Sequence, residues 1–115
     1  MHPDKENLIV NKTYQFSLAI IAYTEVLEAK KRYNMANQLF KSGTSIGANV
    51  REAQGAETKA DFRHKMKVAY KEAEETHYWL ELCKDACNYP DPAALTEEII
   101  SLKRILGKII SSSQN

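Results

Sequence analysis

Several sets of residues have types and spacings that could do chemistry. Cys83 and Cys87 stand one helical turn apart, a separation at which two thiolates can share a zinc ion with two further ligands. Glu74 and His77 form a Glu-x-x-His pair, the unit that di-metal sites in helical bundles take from two helices. Glu72, Glu75 and Glu81 add carboxylates nearby. Ser42, Ser45 and Asn49 share one helical face, and the two serines offer hydroxyl nucleophiles. The stretch "SGTSIGANVREAQG", residues 42–55, holds three glycines and three Ser/Thr residues, the composition of a loop that cradles phosphate.

Each set lacks a necessary partner. His77 lies six residues before Cys83 and points elsewhere, and His64 is several turns away. Both cysteines also fall on an apolar seam, which predicts buried core thiols rather than ligands. No second Glu-x-x-His pair exists, so a di-metal set is incomplete. No histidine base or acyl-enzyme motif accompanies the serines, which are expected to hydrogen-bond locally or across a helix interface. A Walker loop needs Gly-Lys-Ser/Thr after a strand. Here Gly43 and Gly47 are followed by Ala48 and Asn49, and G-x-G-x-x-G is absent. The expectation is a non-enzymatic protein with no catalytic residue, metal or cofactor.

The elements that position these residues are helices. A chain of 115 residues is most simply one domain, 1–115, and its hydrophobic content of 43% suffices for a modest core. The start, "MHPDKEN", lacks the apolar core of a secretory signal, and the run within "FSLAIIAYTEVL" is too short to span a membrane. With two cysteines, this points to reduced thiols in a cytoplasm and to no membrane partner. The tail "SSSQN" is expected to fray.

Four segments carry helical periodicity, at about 8–31, 35–54, 58–88 and 91–112. In the first, Ile9, Phe16, Ile20, Tyr23 and Leu27 form a stripe, with Leu18, Ile21 and Val26 widening it. Lys30, Lys31 and Arg32 suit its C-terminus, where cations meet the negative end of the dipole. In the third, Phe62, Met66, Ala69, Ala73, Thr76, Leu80, Cys83 and Cys87 step by four and three, a seam of eight positions. Thr58 is its N-cap, with Asp61 three residues on, and Pro90 ends it. The fourth opens on Asp91 as N-cap and Pro92 at the first helical position. Leu95, Ile99, Leu102, Leu106 and Ile109 continue it. Short connections make neighbours antiparallel, which predicts an all-α, up-down-up-down antiparallel four-helix bundle.

The second segment contradicts its own composition. Leu39, Gly43, Ile46, Val50 and Ala53 keep the four-three spacing, yet residues 42–49 cost roughly 4–5 kcal/mol of helix propensity relative to alanine. Burying Leu39, Ile46 and Val50 returns roughly 1.5–3 kcal/mol each. This helix therefore forms only when packed. Gly43 and Gly47, one turn apart, permit close approach of another helix, by analogy with small-xxx-small packing in membranes. Gly55 is the expected stop signal.

Net charge is +1, so bulk charge favours no partner, but the distribution is uneven. From Glu57 to Lys71 the third segment carries a net +3, and from Glu72 to Asp85 a net −4, the reverse of what its dipole favours. Projected onto the bundle, one pole holds eleven basic and five acidic residues, and the remainder makes the other pole net negative. Lys59, Arg63, Lys67 and Lys71, spaced by four, form its most continuous stripe. These charges either solvate a surface and pair between subunits, or attract the phosphates of RNA or DNA. Tyr78 and Trp79 lie beside the main seam and either pack within the bundle or anchor a subunit interface. No aromatic ladder for stacking bases is visible.

The runs "QLFKSGTSIGANVREAQ" and "KADFRHKMKVAYKEAEETHYWLELC" closely resemble the bacterial four-helix bundle proteins first noticed as reading frames in 23S ribosomal RNA intervening sequences. The resemblance covers about Leu8 to Ile110, and "SGTSIGANVREA" and "ETHYWLEL" are its most specific parts. Many members have proline where this chain has Gly47, and small residues in place of Arg51 and Ala53. The resemblance implies a four-helix bundle that assembles into a homopentamer, with no known enzyme activity. The link to ribosomal RNA is one of gene location. A more distant resemblance is to the accessory protein of diversity-generating retroelements, a basic pentameric bundle that binds nucleic acid and a reverse transcriptase. This chain is far less basic. Two expectations follow: a homopentamer that binds RNA or DNA through Lys59, Arg63, Lys67 and Lys71, or a scaffold for a protein partner without nucleic acid. Gly43, Gly47 and Asn49 would serve close packing in either, and Tyr78 and Trp79 a subunit interface.

Overall fold

The computed structural model describes the backbone of residues 3–113 and the side chains of residues 8–113. It contains α1 (Pro3–Ala29), α2 (Tyr33–Ala53), α3 (Lys59–Asp85) and α4 (Ala93–Ser112), and no strand among the described residues. The helices form an elongated body of 47 × 20 × 20 Å. Each packs on two neighbours in a square: α1 on α2 and α4, α3 on α2 and α4.

Individual contacts give the directions. On α1 and α2, Ile20 meets Gly43 and Thr13 meets Gly47. Between α2 and α3, Ser42 bonds Thr76 and Glu52 pairs with Lys65. Arg63 reaches Ile110, and Glu74 reaches Lys103, joining α3 to α4. Lys12 pairs with Glu98, and Tyr23 bonds Pro90, linking α1 to the start of α4. In every pair one number rises as the other falls, so all neighbours are antiparallel and the topology is up-down-up-down.

The four-three stripes are the core. Ile9, Phe16, Ile20, Leu27, Leu39, Ile46, Val50, Met66, Leu80, Ile99, Leu102 and Leu106 are all fully buried. The first stripe is narrower than its sequence implies, because Leu18 and Val26 are exposed and Ile21 is half-buried. α1 covers α2 and α4 with one face only, and these residues fall beyond it.

Helix ends also depart from expectation. α1 stops at Ala29, so Lys30, Lys31 and Arg32 follow the helix rather than occupy its last turn. Lys31 adopts φ 63°, and the Arg32 N–H bonds the Leu27 carbonyl while the Lys31 N–H bonds that of Glu28. This is a Schellman turn with lysine in the place glycine usually takes. α2 ends at Ala53, and Gly55, two residues later, has no positive φ. Thr58 caps α3 as expected, its hydroxyl accepting from the Asp61 N–H at 3.0 Å. For α4, Asp91 Oδ1 accepts from the Ala93 N–H at 3.0 Å, although the helix begins one residue later than its sequence suggests, with Pro92 in the cap position.

α2 resolves its propensity deficit by packing and by self-satisfaction. Thr44 and Ser45 donate to the carbonyls of Phe40 and Lys41, each at 2.6 Å, and Asn49 donates to that of Ser45 at 2.9 Å. Asn49 thus serves its own helix rather than a contact between helices. Ser42 turns inward and shares a buried hydrogen bond of 2.9 Å with Thr76. With Thr76 donating to the Glu72 carbonyl, the Ser42 hydroxyl donates to Thr76.

Gly43 is where α1 comes closest. A Cβ there would lie 2.8 Å from Ile20 Cγ1 and 3.0 Å from two further Ile20 carbons. At Gly47 it would lie 3.3 Å from the Thr13 carbonyl oxygen, and at Gly107 nothing comes nearer than 3.9 Å. Gly43 and Gly107 therefore predict opposite mutational signs. Gly43→Ala gains about 1 kcal/mol of helix propensity but overpacks a fully buried isoleucine at about 1–3 kcal/mol, so its denaturant midpoint should fall. Gly107→Ala should gain about 0.5–1 kcal/mol, and its midpoint should rise. Urea unfolding followed by circular dichroism checks both.

Candidate functional site

The first half of α3 carries the candidate site. Lys59 is its first residue, and Lys59, Lys67 and Lys71 are exposed. None of the three has a carboxylate within ion-pair distance among the described residues. Arg63 is half-buried and lies along the α3–α4 seam, its Nε donating to the Ile110 carbonyl at 3.3 Å. A step of four residues falls 40° beyond a full turn. The stripe therefore winds from the α4 edge at Arg63 to the outer face at Lys71. Arg104 and Lys108 on α4 are exposed at the same end.

The basic pole is smaller than its inventory. Lys65 pairs with Glu52 at 2.9 Å, and that carboxylate raises the lysine's pKa. Lys12 pairs with Glu98 at 3.2 Å and Lys103 with Glu74 at 2.8 Å, in both cases using acids counted to the opposite pole. The side chains of Asp4, Lys5 and Glu6 lie outside the described residues. Among the described residues, the basic side chains of that pole in no ion pair are Arg51 on α2, Lys59, Arg63, Lys67 and Lys71 on α3, and Arg104 and Lys108 on α4.

The other chemical candidates resolve into structure. The ammonium of Lys103 contacts both Glu74 and His77 Nδ1, the latter at 3.2 Å. A cation therefore already occupies the position that a metal would take between them. Among the described residues, no cluster of three or more His, Cys, Asp or Glu could hold a metal ion. Cys83 is buried, and burial pushes its thiol pKa up. Beside it, burial and the neighbouring sulfur raise the Tyr23 phenol well above its ordinary range, and its hydroxyl donates to the Pro90 carbonyl at 2.6 Å. Cys87 is exposed, contrary to the buried seam position expected for it. α3 ends at Asp85, Ala86 turns extended and Asn88 takes a positive φ, which swings Cys87 off the helix.

Tyr78 is 56% exposed, and Trp79 is half-buried against the core. Their rings meet edge to face at 5.2 Å, and the indole N–H donates to Glu75 at 3.2 Å. Exposed Leu82 extends this apolar surface along α3. Tyr14, Leu18 and Phe40 form a second exposed apolar set on α1 and α2. A feature missed in the sequence is the α3–α4 groove lined by Lys67, Tyr70, Lys71, Gly107 and Ile110. The positional signal was present, since Tyr70 sits between two lysines of the stripe. Its partner, Gly107, is distant in the chain.

Fold and surface together define the class, an antiparallel helical bundle whose polar chemistry lies on its outside. No described helix is long and apolar enough to cross a membrane. Residues 5–111 match the family model of the 23S rRNA-intervening sequence protein, and the chain belongs to that family. It is similar to a crystal structure of a protein with unknown function from the S23 ribosomal protein family of Bacteroides thetaiotaomicron VPI-5482. The two share 34% identity and a TM-score of 0.88, over 93% of this chain and 98% of that one. No curated protein matches the chain.

Glu72 offers a pH-dependent test of the α3 surface. Burial, then the nearby Glu75 carboxylate, raise its pKa, and Lys41 and Lys71 only partly offset this. A carboxyl whose folded pKa lies above its unfolded value loses stability as pH rises through that interval. Glu72→Gln should therefore raise the melting temperature at neutral pH. The gain should vanish as pH falls below the carboxylate range, and melting curves across pH check this.

Proposed function

We propose that the protein is a non-catalytic homo-oligomer, a pentamer by resemblance to its relatives, that binds RNA or DNA through the basic half of α3. The carrying observation is that, among the described residues, Lys59, Lys67 and Lys71 are exposed without ion-pair partners, while most other lysines of that pole are paired. An unpaired ammonium can release counterions from a phosphate backbone, whereas a paired one must first break its bridge. In a ring, the α3 stripes of all subunits would gather on one face and multiply the field.

Binding should be measured on purified protein with RNA and DNA at two salt concentrations. The wild type should bind at low salt and weaken as salt rises. Lys59→Ala, Arg63→Ala and Lys67→Ala combined should weaken binding across all sequences and flatten the salt slope by about three. No salt-sensitive binding to either polymer would sink the reading.

The exposed apolar sets at Tyr78 and Leu82 and at Tyr14, Leu18 and Phe40 support subunit contact. They equally favour the second reading, a protein-interaction scaffold without nucleic acid, for which capture of one protein partner would survive nuclease. Light scattering at micromolar concentration should give an oligomer mass, and a monomer mass would contradict assembly.

A further inference from the structure

We propose that the α3–α4 groove at Tyr70 and Gly107 is a niche for one unstacked base, so that the basic face selects single-stranded nucleic acid over duplex. This rests on the nucleic-acid reading above. The groove has a volume of about 340 Å³ and is lined by Lys67, Tyr70, Lys71, Gly107 and Ile110.

Its parts match the two halves of a nucleotide. Tyr70, Gly107 and Ile110 offer an apolar, half-buried floor. Gly107 leaves the neighbouring edge of the Tyr70 ring uncovered, since a Cβ there would stand 3.9 Å from Tyr70 Cε2 and a larger side chain would lie against the ring. Lys67 and Lys71, exposed and without ion-pair partners among the described residues, supply charge at the rim. A base has a flat apolar face to lay against an aromatic ring, and its phosphates lie on either side, within reach of two ammonium groups. Bases in a duplex are stacked on each other and cannot enter.

Polar contacts between α3 and α4 flank the groove. On one side Arg63 bonds the Ile110 carbonyl, and on the other Lys103 bridges to Glu74 and His77, so both flanks of the groove are tied. The comparable α1–α2 groove at Tyr14 differs, because the Arg51 guanidinium already stands 5.6 Å from that ring's centroid and covers it.

The test uses full-length protein and three labelled DNA probes with equal phosphate counts per strand: a mixed-sequence single strand, a fully abasic strand, and the duplex. Fluorescence anisotropy should show the mixed strand binding roughly 5–150-fold tighter than the abasic one, the range expected for one stacked base. Gly107→Leu, which fills the niche, and Tyr70→Ala should each abolish that ratio and leave abasic binding unchanged. Tyr70→Phe should keep it. Circular dichroism confirms that each variant is folded. Equal wild-type binding of mixed and abasic strands, or a ratio that survives Gly107→Leu, overturns the niche while leaving the basic face intact. Failure of all three probes and of their RNA counterparts to bind at low salt overturns the basic face and the niche with it.

Discussion

The approach of α1 to α2 at Gly43 is the constraint on which the rest of the bundle depends. Interaxial distance follows from the side chains at the contact, and here Ile20 occupies the space a Cβ would need. Placing glycine at this point of α2 sacrifices helix propensity in exchange for burial. Once α2 lies that close, Leu39, Ile46 and Val50 are sealed from water and Ser42 reaches Thr76 on α3. That contact fixes α3 against α2, Arg63 and Glu74 join α3 to α4, and the resulting register decides which charges pair.

Register explains why a nearly neutral chain presents a basic face. The charges of α3 run against its dipole, an arrangement that a lone helix would not favour. Neighbours absorb part of it: Glu52 takes Lys65, and Glu74 takes Lys103. Among the described residues, Lys59, Lys67 and Lys71 form no ion pair. Surface bridges of this kind add little stability, so their main consequence is to determine where the uncompensated field lies. The same pairing turns Glu74 and His77 from a metal motif into partners of an ammonium.

The surface also divides by chemistry along α3. Its first half is basic and borders the Tyr70 groove, and its second half carries Tyr78, Trp79 and Leu82 amid carboxylates. A single helix thus carries a basic surface and, further along, an apolar one. Membership in the 23S rRNA-intervening sequence family, and likeness to a solved relative of unknown function, agree with the helical bundle itself.

The sequence by itself determined the four helices, the buried residue of nearly every turn, the Thr58 cap and the close-packing role of Gly43. Spacing and capping are local properties, readable from residues within a turn or two of each other. Tertiary structure alone decided that Leu18 and Val26 face outward, that Cys87 leaves its seam, and that Asn49 bonds within α2. It also decided that Lys12 and Lys103 are paired while Lys67 and Lys71 are not, and that Tyr70 meets Gly107. Periodicity gives the direction of a helix's buried face, but not the width that its neighbours cover. The meeting of residues far apart in the chain depends on register between helices, which is set by packing and has no local signature.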